Sequence, residues 1–201
     1  MKTGPKYKIA RRLGAPIFEK TQTAKFAASK ERRGKKMSRP KSAFGLQLNE
    51  KQKARLTYGV SEKQFKNYVN KILSTKTSGS QTDKLFELLE RRLDNAIYRI
   101  GFASTRRHAR QIVSHGHITV NGKKVTIPSF SVSKDDKITL RKASEQKTIF
   151  TNIEEKLKEA NTPDWISFDI KTKEGKITGV PKANPTELMF DLEAVFEYYR
   201  R

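Results

Sequence analysis

The chain has 201 residues, with 43 Lys and Arg against 21 Asp and Glu and a net charge of +22. That balance points to a polyanionic partner, RNA or DNA before anything else, and 35% apolar residues allow modest cores rather than one large one. The absence of Cys excludes disulfides and thiolate metal sites, and no apolar run approaches the roughly 18 residues of a membrane-spanning helix.

Residues 1–42 hold 14 basic and 2 acidic residues, net +12. Residues 43–150 also carry net +12, and residues 151–201 carry net −2. The main polyanion contact is therefore expected before residue 150, and the C-terminal quarter suits packing or a protein partner. Residues 1–42 read as a basic extension, because GPKYK, ARRLGAP and KERRGKKMSRPK combine Gly and Pro punctuation with little apolar periodicity. Arg11 and Arg12 are candidate RNA contacts within it. Tyr7, Ile9, Leu13, Ile17, Phe18 and Phe26 call for packing partners. Gly4, Pro5, Gly14 and Pro16 interrupt any sustained amphipathic helix, so the segment does not read as a transit peptide, and it lacks the apolar centre of a secretory signal. A cytoplasmic location is expected.

Helices are predicted from Ser42 onward. NEKQKARLTYG makes a basic helix that stops at Gly59, and Ser61 then caps SEKQFKNYVNKIL, with Phe65, Tyr68, Val69 and Ile72 forming an apolar stripe. STKTSGSQT, 74–82, reads as a linker. Asp83 is expected to cap one helix over 84–100 ending at Gly101, and Ser104 to cap a second over 105–115 ending at Gly116. In the second, Ala109, Ile112 and Val113 point inward, and Arg106, Arg107 and Arg110 line up outward. HITVNGKKVTI is a hairpin signal, since Asn121-Gly122 fits a type I′ turn, and Lys123 follows it. SVSKDDKITL reads as a strand pair bending at Asp135-Asp136. Residues 149–160 read as a short helix, WISFDI and KITGV as paired strands around KTKEG, and Thr186–Tyr199 as a closing helix.

Catalysis finds little support. His108, His115 and His117 lie in the basic region without further metal ligands, and Asp135 with Asp136 reads as a turn. Neither a phosphate-cradling GxxxxGK loop nor a GxSxG elbow occurs. No cofactor is expected. Outward arginines beside a hairpin suit shape reading of folded RNA, whose deep major groove excludes side chains. Nothing resembles a dimerising heptad or a DNA-recognition helix.

The stretch Leu89–Gly122, with RLDN, YRIGF, TRRHARQIVSH and ITVNG, resembles the small RNA-binding fold named after ribosomal protein S4, which some pseudouridine synthases and a tyrosyl-tRNA synthetase class share. FGLQLNEKQKARLTYGVSEKQFKNYV, 44–69, resembles the helical segment that precedes this module in the bacterial-type S4 family of small-subunit ribosomal proteins. PDWISFDI and the terminal helix fit as well. The N-terminal zinc-holding Cys cluster of some members has no counterpart here, and SKERRGKKMSRP stands where many members are rich in Gly.

The resemblance implies an α+β fold. A helical domain (43–90 and 184–201) would follow the extension 1–42. An inserted domain (91–183) would hold an αα-hairpin RNA-binding module, about 91–155, and a mostly antiparallel sheet. It implies a structural, non-enzymatic protein that binds small-subunit rRNA at a helical junction and nucleates assembly of the subunit body. It would lie beside proteins five and three at the mRNA entry region and influence decoding accuracy, with no membrane role. Carried over by matching position, Lys51, Lys53, Arg55, Arg106, Arg107, Arg110, Gln111, Ser114, His115, Asn121, Gly122 and Lys123 would meet rRNA. Arg92 and Asp94 would hold the module together, a buried ion pair being one option. Reversing charge at Arg106 and Arg110 is expected to weaken binding without unfolding. An RNA-modifying enzyme or a ribosome-associated stress factor using the same module is the competing reading.

Overall fold

The computed structural model describes residues 3–27, 40–75, 79–150, 157, 162–170, 172–184 and 188–200. The helix expected over 149–160 falls almost wholly outside these residues, as does the proposed start of the last helix at Thr186. Contacts divide the chain into two compact units, Met1–Leu85 with Ala183–Arg201, and Phe86–Lys182.

The first unit is helical, and the segment read as an extension begins it. Helix α1, Lys6–Leu13, buries Ala10 and Leu13 in a cluster with Ile17, Phe18 and Leu56. This helix was not expected. Gly14 supplies the left-handed residue (φ 75°) that closes it after two turns, and its N–H returns to the Ala10 carbonyl. Helix α2, Ala43–Thr57, starts where Ser42 Oγ accepts the Gly45 N–H, and Gly59 at φ 62° follows its end. Ser61 caps α3, Glu62–Ser74, which buries Phe65, Val69 and Ile72.

Helix α4, Gln81–Glu90, starts two residues before the expected cap, with Ser80 Oγ accepting the Asp83 N–H. It ends at Glu90, and α5, Leu93–Ile100, is a separate helix. The single helix expected over 84–100 is therefore broken. Arg92 is extended (ψ 136°) and bridges to Ser131, while the Leu93 and Asp94 N–H groups donate to the carbonyls of Phe130 and Pro128. A loop some 40 residues downstream thus takes backbone bonds that a continuous helix would have kept.

In the second unit, Gly101 (φ 100°) ends α5, and Thr105, one residue past the expected cap, opens α6, Arg106–Ser114. Strands β1 (Ile118–Val120), β2 (Lys123–Lys124), β3 (Lys137–Leu140), β4 (Ile166–Asp169) and β5 (Glu174–Ile177) form an antiparallel sheet in the order β2-β1-β3-β5-β4. A single-turn helix, α7 (Lys142–Glu145), follows β3. Asn121 and Gly122 both have positive φ, as a type I′ hairpin requires. The SVSKDDKITL segment contributes only β3, which pairs with β1 and β5 rather than folding back on Ser131–Lys134. Ile118, Val120, Ile138 and Leu140 face a core shared with Leu93, Ile97, Ile100, Ile112 and Val113. In the first unit, α8, Leu192–Tyr199, closes the chain. It starts later than expected because Asp191 Oδ1 accepts the Glu193 and Ala194 N–H groups.

Candidate nucleic-acid interface

Helix α6 sorts its residues by face. Thr105 Oγ1 accepts the His108 N–H, and Ala109, Ile112 and Val113 are buried as the periodicity predicts. Arg107, Gln111, Ser114 and His115 are exposed, and the helix contains no acidic residue. Past Gly116 the hairpin turn presents Asn121, Gly122 and Lys123, all exposed. Lys124 lies back over the end of α6, so close that a β-carbon on Gly116 would clash with its Cε. The helix end and the hairpin lysines therefore belong to one basic surface.

Arg106 and Arg110 are not the simple outward arginines the sequence suggested. Arg110 donates through Nε and Nη2 to Asp94 Oδ2 at 2.8 and 2.6 Å. Asp94 is 2% exposed and is also clamped by Arg92, Nε to Oδ1 at 3.0 Å and Nη2 to Oδ2 at 2.7 Å. Arg106 donates to Asn95 Oδ1 at 2.8 Å and lies 4.4 Å from the Tyr98 ring centroid. Asn95 donates in turn to buried Glu90, whose carboxylate accepts two bonds from Arg99. These two networks lock α6 onto α4 and α5, because a buried carboxylate is tolerated only when paired. Charge reversal at Arg110 would set a second carboxylate against Asp94, which works against the packing of α6.

Other predicted positions also have structural duties. The Asn121 side chain donates to Asp136 Oδ1 and accepts the Lys137 N–H, pinning the hairpin to β3. Asp136 also accepts the Ser133 N–H, and Asp135 pairs with Lys176 at 3.0 Å, so these two carboxylates serve the turn. The hydrogen bond and charge of Lys176 lower the Asp135 pKa. His117 is buried, with Nδ1 2.9 Å from Ser144 Oγ and its ring edge-on to Phe150. Burial lowers its pKa, with Lys147, His115 and Arg141 adding to the effect. No group of three or more His, Asp or Glu that could hold a metal occurs among the described residues.

In the first unit, Lys51 turns inward. It is 4% exposed, bonded to Glu62 at 2.6 Å and set over the Tyr198 ring at 4.4 Å. Lys53 pairs with Glu50, and Arg55 binds Glu62, Gln52 and the Val60 carbonyl. Lys51 and Arg55 thus tie α2 to the start of α3, while the Lys53 pair stays within α2. Arg11 and Arg12 are exposed on α1, with Arg11 Nε also donating to the Tyr7 carbonyl. Lys63, Lys66 and Lys71 are exposed on α3 opposite its buried stripe. Fixing Phe65, Val69 and Ile72 inward fixes those lysines outward.

Two domain families match the chain. The ribosomal protein S4/S9 N-terminal domain matches residues 1–90, and the S4 domain matches residues 91–138. Proteins called small ribosomal subunit protein uS4 align over nearly the whole length. That of Roseiflexus sp. (strain RS-1) is 42% identical, covering 98% of each chain. That of Dehalococcoides mccartyi (strain CBDB1) is 38% identical, covering 99% of this chain and 98% of its own. That of Lactiplantibacillus plantarum is 39% identical over the same shares. With a basic α6-and-hairpin surface in one unit, a helical bundle in the other, and relatives at this identity along its full length, the chain belongs to the uS4 family of bacterial-type small ribosomal subunit proteins.

Proposed function

We propose that this protein binds small-subunit rRNA directly, at a junction of rRNA helices, and nucleates assembly of the subunit body as a structural component. The observation that carries the reading is the α6-and-hairpin surface. Arg107, Gln111, Ser114, His115 and Lys123 are exposed there beside Gly122, on a helix without acids. Cationic heads would track phosphates while Gln111, Ser114 and the turn backbone read groove shape. Of the carried-over positions, Arg106 and Arg110 contribute mainly by holding α6 in place.

The protein is further proposed to lie beside proteins five and three at the mRNA entry region, with its contact to protein five influencing decoding accuracy. A groove of about 860 Å³ in the helical unit supports a protein neighbour. Leu46 and Met189 expose apolar surface there, and Glu50, Glu193 and Glu197 ring them with negative charge. Such a surface repels RNA and suits a basic, partly apolar protein face.

Footprinting on naked small-subunit rRNA, with unrelated structured RNA as competitor, tests the central claim. A compact, competitor-resistant footprint at one helical junction is expected. Diffuse protection that competitor removes would overturn it.

A further inference from the structure

The turn between β1 and β2 carries a reactive dipeptide. Asn121 is the only Asn of the chain that precedes a Gly, and no Asp precedes one. Gly122 has no side chain to shield its own nitrogen, and a β-carbon placed on it would meet nothing within 4 Å. Both residues are exposed, so water reaches them. The hairpin needs this pair, because both positions take positive φ, 50° at Asn121 and 76° at Gly122. The residues that make the turn are therefore the ones most open to reacting with each other.

The reaction available to them is intramolecular. The Gly122 nitrogen attacks Asn121 Cγ and forms an N–Cγ bond. The Cγ–Nδ2 bond breaks, and Nδ2 leaves as ammonia with the proton that the Gly122 nitrogen gives up. Water then opens the five-membered imide. Hydrolysis at Cγ yields aspartate. Hydrolysis at the main-chain carbonyl yields isoaspartate, whose backbone runs through Cβ and Cγ. In sum, one water enters and one ammonia leaves.

The fold holds this reaction back. The ring closes only if Cγ swings onto the next residue's nitrogen, and the start of β3 holds the carboxamide at both ends. Nδ2 donates to Asp136 Oδ1 at 2.8 Å, and Oδ1 accepts the Lys137 N–H at 2.9 Å. The Asn121 N–H donates to the Lys137 carbonyl at 2.8 Å. Asp136 is itself fixed, since Oδ2 accepts the Ser133 N–H at 2.7 Å and its carbonyl accepts the Ile177 N–H at 3.0 Å. Reaction therefore requires the turn to leave β3 first, a local opening that exposed loops make at low cost.

Either product reaches beyond the turn. Aspartate at 121 would set a carboxylate against Asp136 Oδ1, where an amide now donates. Isoaspartate adds a carbon to the main chain of a two-residue loop whose register pairs Val120 with Lys123. Both loosen the pairing that places Lys123 and Lys124.

We propose that Asn121-Gly122 is a deamidation site latched by Asp136 and Lys137, converting to aspartate and isoaspartate when the turn leaves β3. The site is a property of the hairpin and holds whatever the basic surface binds.

The full-length protein is incubated at neutral pH, native in one sample and unfolded in guanidinium chloride in another. Peptide mapping by mass spectrometry reads conversion at each Asn, and an isoaspartate-specific carboxyl methyltransferase reads the isomer. Conversion should concentrate at position 121 and run faster in the unfolded chain. In native buffer, Asp136→Ala should convert about tenfold faster than the parent, the factor carried by one hydrogen bond to a charged group. Asp136→Asn keeps an acceptor oxygen and should return toward the parent rate. Asp135→Asn, whose carboxylate is bound to Lys176 rather than to Asn121, should match the parent. Circular dichroism melts confine the comparison to folded variants.

Equal rates in the native and unfolded parent overturn the proposal, and that comparison needs no variant. So does a folded Asp136→Ala that converts at the parent rate. An unfolded chain that converts no faster at 121 than at its other Asn positions overturns it as well.

Discussion

Replacing Asp94 with Ala isolates what the buried carboxylate does for the basic surface. Asp94 is 2% exposed and accepts from Arg92, which is 3% exposed, and from Arg110, whose side chain is 28% exposed. Removing the carboxylate breaks the bidentate ion pair of the buried Arg92 guanidinium, a change that costs about 3–5 kcal/mol. For a unit of about 100 residues each kcal/mol shifts the melting temperature by roughly 4–8 °C, so the variant should lose at least about 12 °C. Arg110→Ala is the matched control. Asp94 then keeps both bonds to Arg92 and Arg110 leaves from a partly solvated position, so about 1–2 kcal/mol is expected. Urea and thermal melts followed by circular dichroism, with rRNA affinity measured on the folded fraction, compare the two. Equal losses, or a loss below about 1 kcal/mol for Asp94→Ala, would refute the argument that the carboxylate is the hub of this network.

The Arg107→Glu/Lys123→Glu variant should weaken rRNA binding and reduce its salt slope at an unchanged melting temperature, since both side chains are exposed; an unaltered isotherm would count against the α6 surface. Lys51→Met should do the reverse, costing the helical unit about 1–2 kcal/mol by removing the Glu62 bond and the Tyr198 ring interaction, with the salt slope unchanged. A reduced slope in that variant would return Lys51 to the RNA-binding surface. His117 has a folded-state pKa below its ordinary 6.5, so the unfolded chain takes up its proton first. Its contribution to stability is present above pH 6.5 and is lost as pH falls through the lowered folded-state value, a difference that urea melts between about pH 7.5 and 5 should show for the parent and not for His117→Gln. Parallel pH profiles for the two proteins would contradict it.

Features that depend on neighbours within a few residues are legible in the chain alone. Ser42 and Ser61 cap their helices, Gly59, Gly101 and Gly116 take positive φ near helix ends, and Asn121-Gly122 turns the hairpin, because each is a local solution to backbone geometry or unpaired N–H groups. The inward positions Ala109, Ile112 and Val113 followed from helical period alone, and so did the exposed lysines of α3 once its apolar stripe was fixed. Whatever depends on distant segments is set by packing. The break at Arg91–Arg92 exists because the 128–132 loop offers carbonyls to Leu93 and Asp94, donates the Val132 N–H to the Arg91 carbonyl and accepts from Arg91 Nε at the Val132 carbonyl. Lys51 turns inward because Tyr198 and Tyr199 arrive from the far end of the chain, and Arg110 turns to Asp94 because packing α5 on α6 buries that carboxylate within its reach. A Lys or Arg on a helix reads alike in sequence whether it meets solvent, an aromatic face or a buried acid. The choice among them is made by desolvation, which only the packed structure imposes.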